Sequence, residues 1–231
     1  SIQSSSSYPL PIIENKITNL DPQKLTTIAI TGVTAMVRDT AVIMEENGYI
    51  YPSSDIGALL SSVDITHISN EVPFAVDCPD PDSNQETLLF CSKDEYIQLL
   101  EAVGTDIVEL SGDHFGDWGP ESMLHSLSLY HARKWLTYGG GENLLAGLKP
   151  ITFSHNGNLF AFIGCNGKAH ERYATATDTT PGASKCDFEY LEKEISKLSQ
   201  QGYLVIATMQ HEEVDSFYPV AIQQWDFHRL A

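Results

Sequence analysis

The sequence predicts an α/β domain with a mixed sheet, and three observations carry that reading. Short apolar runs rich in β-branched residues alternate with stretches of helical spacing. One pair of runs is separated only by Asn156-Gly157, the mark of a tight antiparallel hairpin. Finally, 231 residues with 42% hydrophobic and 10% aromatic side chains suffice to bury the core of one such domain.

Residues 1–24 read as a tail or linker, with SSSS followed by YPLP, and the domain is expected over 25–231. LTTIAITGV, from Leu25, predicts a buried strand stopped at Gly32. A helix is expected over Asp39–Glu46, closed by Asn47-Gly48, then a helix over Ile56–Ser62 and a strand over Asp64–Ile68. Lys93–Val103 carries Tyr96, Leu99, Leu100 and Val103 at helical spacing, with Gly104 as terminator, and Thr105–Leu110 is a further strand. Pro120 sits where a first helical turn tolerates proline, so a long helix to about Thr137 follows, with Met123, Leu127, Tyr130 and Lys134 on one stripe. A short helix fits Glu142–Leu148, and ITFSHNGNLFAFIGC forms the hairpin. An amphipathic helix over Asp187–Gln200, a strand over Tyr203–Thr208 and a helix from Pro219 complete the order. The chain begins with Ser1 and stops on that helix, where the alternation calls for another strand. It therefore reads as incomplete at its C-terminus, with an adjoining domain expected at both ends.

Charge removes several functions. Thirty-one acidic against 13 basic residues give a formal charge of -18, which leaves no electrostatic footprint for nucleic acid or anionic lipid. No run approaches the roughly 20 apolar residues that span a bilayer, so no membrane insertion is expected. Cys78, Cys91, Cys165 and Cys186 form no C-x-x-C pair, against a zinc ribbon or a thioredoxin-like motif. They allow three pairings or four free thiols. The short polar loops between them favour Cys78–Cys91 with Cys165–Cys186, and hence an exported, extracellular or cell-surface protein.

Ligands of open α/β sheets collect at the carboxyl ends of strands. The first strand is followed by Thr31, Gly32, Thr34 and Arg38, the second by Ser69, Asn70 and Glu71. The third is followed by Ser111, Gly112, Asp113, His114 and Asp117, and the strand ending at Thr208 by Gln210, His211, Glu212 and Glu213. Oxygen and imidazole donors of this kind suit Mn, Zn, Fe or Mg. Plainer readings exist: Asp113-His114 as a turn capping the next helix, Asn70-Glu71 as a strand exit, His211-Glu212-Glu213 as a solvated helix start. His67, His125, His131 and His155 read as structural. No nucleophile elbow, Walker loop or H-E-x-x-H motif is present.

At these strand ends the sequence resembles the capsule and poly-γ-glutamate synthesis (CapA-like) family. The motifs are ITGVTAMVRD, SNEVPF, SGDHFGDWG and MQHEE, followed by Pro219 and Gln223. The resemblance implies a calcineurin-like, metallophosphatase-type four-layer αββα sandwich with mixed sheets. It implies metal positions at Glu71, Asp113, His211 and Glu213, a catalytic group of His114, Asp117 and Arg38, and substrate contacts from Asn70, Gln210 and Gln223. The pattern is broken where Val33 follows Gly32 in place of an Asp, and where the fourth-motif His falls on Met209.

Two functions follow from the resemblance. One is a metal-dependent hydrolase acting on polyglutamate or phosphoesters, with His114 as general acid. The other is a non-catalytic scaffold or binding protein for a capsule or cell-wall polymer, retaining the fold without the metals.

Overall fold

The computed structural model describes residues 21–168 and 174–231; most of the expected tail lies outside them. Each sheet is built from runs the pattern singles out. Strands β1 (Ile28–Thr34), β2 (Ile65–Asn70), β3 (Thr105–Glu109) and β4 (Leu136–Tyr138) form one sheet in that order, parallel throughout. The mixed sheet is the second one. There the hairpin β6 (Ile151–His155) and β7 (Asn158–Asn166) is antiparallel, and β9 (Leu204–Gln210) joins β7 in parallel. Asn156 and Gly157 have φ of 49° and 78°, the two positive values that a type I′ turn requires. A two-residue pairing of β5 (Gly140–Gly141) with β8 (Gly182–Ala183) lies apart from both.

The helices are α1 (Arg38–Asn47), α2 (Gly57–Leu60), α3 (Ile97–Ala102), α4 (Gly119–Ala132), α5 (Leu144–Leu148), α6 (Phe188–Gln200) and α7 (Ala221–Leu230). α6 has its apolar stripe on one face and a side-chain cap: Asp187 accepts from the Tyr190 N–H at 3.1 Å. The long helix stops five residues before the expected Thr137. Its C-cap is Arg133, Lys134 turns to φ 62°, and the β-favouring Leu136–Tyr138 leaves as β4. The Ile56–Ser62 helix shrinks to α2, a single turn.

Alternation along the strands sorts the core into three clusters. Ile68 and Val108 point to α1, α3 and α4, meeting Met44, Leu100, Met123 and Tyr130. Ile65, Ile107 and Tyr138 face the other way, onto Phe160 and Phe162 of β7. Ile163 and Cys165, on the far face of β7, pack on Leu191 of α6, with Leu230 of α7 at the margin. Burial at this level, at about 25 cal/mol per Å² of apolar surface, is the main source of stability.

Both local disulfides form: Cys78–Cys91 closes the loop after β2, and Cys165–Cys186 ties the end of β7 to the start of α6. Among the described residues, no helix is long and apolar enough to cross a membrane.

Candidate functional site at the strand ends

The carboxyl ends of β2, β3, β7 and β9 converge. Glu71 leaves β2, Asp113 sits in the loop after β3, Lys168 follows β7, and Gln210 ends β9. Close approach of the first two loops depends on Gly112, since a Cβ there would lie 2.7 Å from Cγ of Glu71.

Gln210 bridges the first two acids. Its Nε2 donates to Oε1 of Glu71 at 2.9 Å and to Oδ1 of Asp113 at 3.0 Å. Lys168 bridges the second and third. Its Nζ lies 2.8 Å from Oδ2 of Asp113 and 2.5 Å from Oε1 of Glu213. Burial pushes Glu71 up to about 7, helped by its hydrogen bond to Asp113 and that group's charge. Burial also works to raise Asp113, but the Lys168 ammonium and the hydrogen bond from Glu71 hold it below the usual carboxylate range.

His114 and Asp117 form a pair beside this group. Nδ1 of His114 lies 2.6 Å from Oδ2 of Asp117, and that hydrogen bond raises the imidazole above its ordinary value. The same Oδ2 accepts from the N–H of Phe90 at 2.9 Å. The N-cap of α4 is Trp118 and has no side-chain capping bond, so the Asp113-His114 loop does not act as a helix cap. With Nδ1 held by a carboxylate, Nε2 is the nitrogen available to exchange a proton with a bound molecule.

Other expected residues stand elsewhere. Arg38 and His114 both approach the Phe90 ring: the guanidinium is 5.1 Å and the imidazole 5.0 Å from that ring's centroid, and Nη2 of Arg38 donates to the Gln85 carbonyl at 2.9 Å. It lines a cavity of about 420 Å³ under the Cys78–Cys91 loop, with Tyr96 and Trp118. Asn70 is fully buried, and its Nδ2 donates to the Val72 carbonyl and the Tyr130 hydroxyl. That makes it a strap between β2 and α4. His211 turns to α7, 3.0 Å from Asp226, and Gln223 caps α7 by accepting from the Val220 N–H and donating to the Glu212 carbonyl. No helix starts at His211-Glu212-Glu213.

Two residues were not singled out by the sequence reading. Lys168 is found by the strand-end rule once the hairpin's second strand is followed to Asn166. Glu109, a buried carboxyl at the end of β3, accepts from Ser69 at 2.5 Å and Thr208 at 3.3 Å, and burial raises its pKa. A cavity of about 190 Å³ opens between the sheets here, lined by Val33, His67, Ser69, Glu109, Thr208, Met209 and Gln210.

The described side chains at this site are not arranged to hold a divalent metal. Both oxygens of Asp113 have protein partners, Glu213 holds the same ammonium, and His211 is engaged with Asp226. Among the described residues, no group of three or more His, Cys, Asp or Glu is arranged to hold a metal ion.

Fold and site together define an α/β protein with a cluster of acidic side chains, bridged by Gln210 and Lys168, at the carboxyl ends of its strands. The chain belongs to the bacterial capsule synthesis protein family PGA_cap, whose model matches residues 27–231. No curated protein matches the sequence.

Proposed function

We propose that the chain acts outside the cell in capsule assembly, as a non-catalytic scaffold or binding protein for a capsule or cell-wall polymer. Membership of the family supports the setting, and two disulfides suit an oxidising compartment. The three core clusters, taken in order, support a calcineurin-like four-layer arrangement of helices, two sheets and helices.

One observation carries the non-catalytic reading. At the ends of β1 and β9, Val33 and Met209 stand where the resemblance expects a carboxylate and an imidazole, and both line the small cavity between the sheets. Neither a valine side chain nor a thioether suits a hard divalent cation. Poly-γ-glutamate would meet a protein of charge -18, so its attraction must be local and its long-range repulsion screened by salt.

The test is calorimetric titration with poly-γ-glutamate and with a neutral cell-wall glycan at two ionic strengths. A phosphodiester and γ-glutamyl hydrolysis assay over Mn, Zn and Mg runs in parallel. Saturable binding without turnover is expected, strengthening with salt for the polyanion. Turnover abolished by His114→Ala would overturn the proposal. It would establish the second reading, a hydrolase, which the 2.6 Å His114–Asp117 pair favours because it orients the imidazole and shifts its pKa upward, toward the protonated form a general acid uses.

A further inference from the structure

We infer that Lys168 is a built-in replacement for a divalent cation, supplying from within the chain the positive charge that the strand-end carboxylates require. Its Nζ contacts Asp113 after β3 and Glu213 after β9, two acids from separate elements that both occupy positions the resemblance gives to metal ligands. One cation joining carboxylates from different strand ends reproduces the cross-linking role of a bound ion. Like-charge repulsion within a few ångströms then disfavours a divalent ion in the same space.

The placement of Lys168 is built in. The side chain is only 10% exposed, unlike an ordinary surface lysine. The backbone N–H of Lys168 donates to Oδ1 of Asn166 at 3.0 Å, and Nδ2 of Asn166 donates to the Ser111 carbonyl at 2.9 Å. The Gly167 N–H donates to the Gln210 carbonyl at 2.7 Å. Residues 166–168 are thereby pinned to the β3 loop on one side and to β9 on the other, with the Cys165–Cys186 disulfide immediately upstream. Gln210 completes the arrangement by donating to Glu71 and to the remaining oxygen of Asp113.

This inference does not depend on polymer binding, so either can fail without the other. Its test compares wild type, Lys168→Arg, Lys168→Met and the double variant Lys168→Met/Asp113→Asn in the full chain, by thermal unfolding and by calorimetric titration with Mn²⁺. Wild type and Lys168→Arg should show no saturable Mn²⁺ uptake. Lys168→Met should lose roughly 5 °C in Tm in metal-free buffer, and the double variant should recover most of that loss. If Lys168→Met does not fold but the double variant does, charge compensation is still demonstrated. Stoichiometric Mn²⁺ binding by wild type would overturn the inference. So would a Lys168→Met protein as stable as wild type, or a loss, in Tm or in folding, that Asp113→Asn does not repair.

Discussion

The hydroxyl of Tyr138 lies 2.7 Å from Nε2 of His67 and 3.0 Å from Oγ1 of Thr208, so one side chain of β4 links β2 with β9 across the two sheets. Thr208 passes the connection to Glu109, and Ser69 closes it. Buried polar networks of this kind are costly to break because the groups left behind have no water to turn to. Tyr138→Phe should therefore cost about 1–3 kcal/mol in denaturant unfolding with an unchanged m value. A cost near zero would show that the hydroxyl is not part of what holds the sheets together.

His67 predicts an acid-sensitive contribution. Burial holds its pKa down from 6.5 to about 4, so between those values the unfolded chain binds more protons than the native one. Stability from this group is present above about 6.5 and is lost as pH falls through about 4. The readout is unfolding free energy against pH for wild type and His67→Phe, whose difference should shrink toward acid.

Glu71 predicts the opposite slope in nearly the same window. Its carboxyl is raised from 4.5 to about 7, so the native state holds the extra proton there and stability falls as pH rises from about 4.5 through about 7. Glu71→Gln should match wild type near pH 4 and gain on it by on the order of 2 kcal/mol near pH 8. The slopes of the two groups oppose each other in the window they share, so each single variant should tilt the curve relative to wild type in the direction of the group that remains. Parallel curves for Glu71→Gln and wild type would remove the carboxyl from the account.

Asp117 anchors the imidazole beside the acidic group and also satisfies the Phe90 N–H. Asp117→Ala should cost about 2 kcal/mol and lower the His114 titration point, followed by NMR on the ring protons. An unmoved His114 titration would separate the two residues.

The Cys78–Cys91 bond spans a separation of 13 residues and closes the loop over the Arg38 cavity. Replacing both cysteines by alanine should cost about 3 kcal/mol in the chain-entropy account, seen as a Tm several degrees lower. An unchanged Tm would mean that the loop is already ordered by Arg38 and its bond to Gln85.

How much of this was legible depended on whether the signal was local. The β6–β7 hairpin could be read from Asn156-Gly157 because the turn's backbone demands those residues. The strand-end rule collected Glu71, Asp113, His114 and Gln210 because chain direction alone places them on one edge. β4 was hidden because Leu136–Tyr138 continues a helical pattern, and only the left-handed Lys134 breaks it. His211 follows Gln210 directly, yet its ring turns to Asp226 of α7, and Gln223, in the first turn of α7, is spent on capping that helix. Lys168 stays hidden until β7 is followed to its end at Asn166, and its meaning comes from three strands that bring Asp113 and Glu213 to it.

A tethered ammonium differs from a bound ion in one further respect. An ion's occupancy follows its concentration in the medium, whereas Lys168 is delivered to Asp113 by the covalent chain at a fixed and high effective concentration. Chelators cannot strip it, and scarcity of metal cannot empty it. The charge balance at these strand ends is therefore inherited with the fold and renewed each time the chain folds.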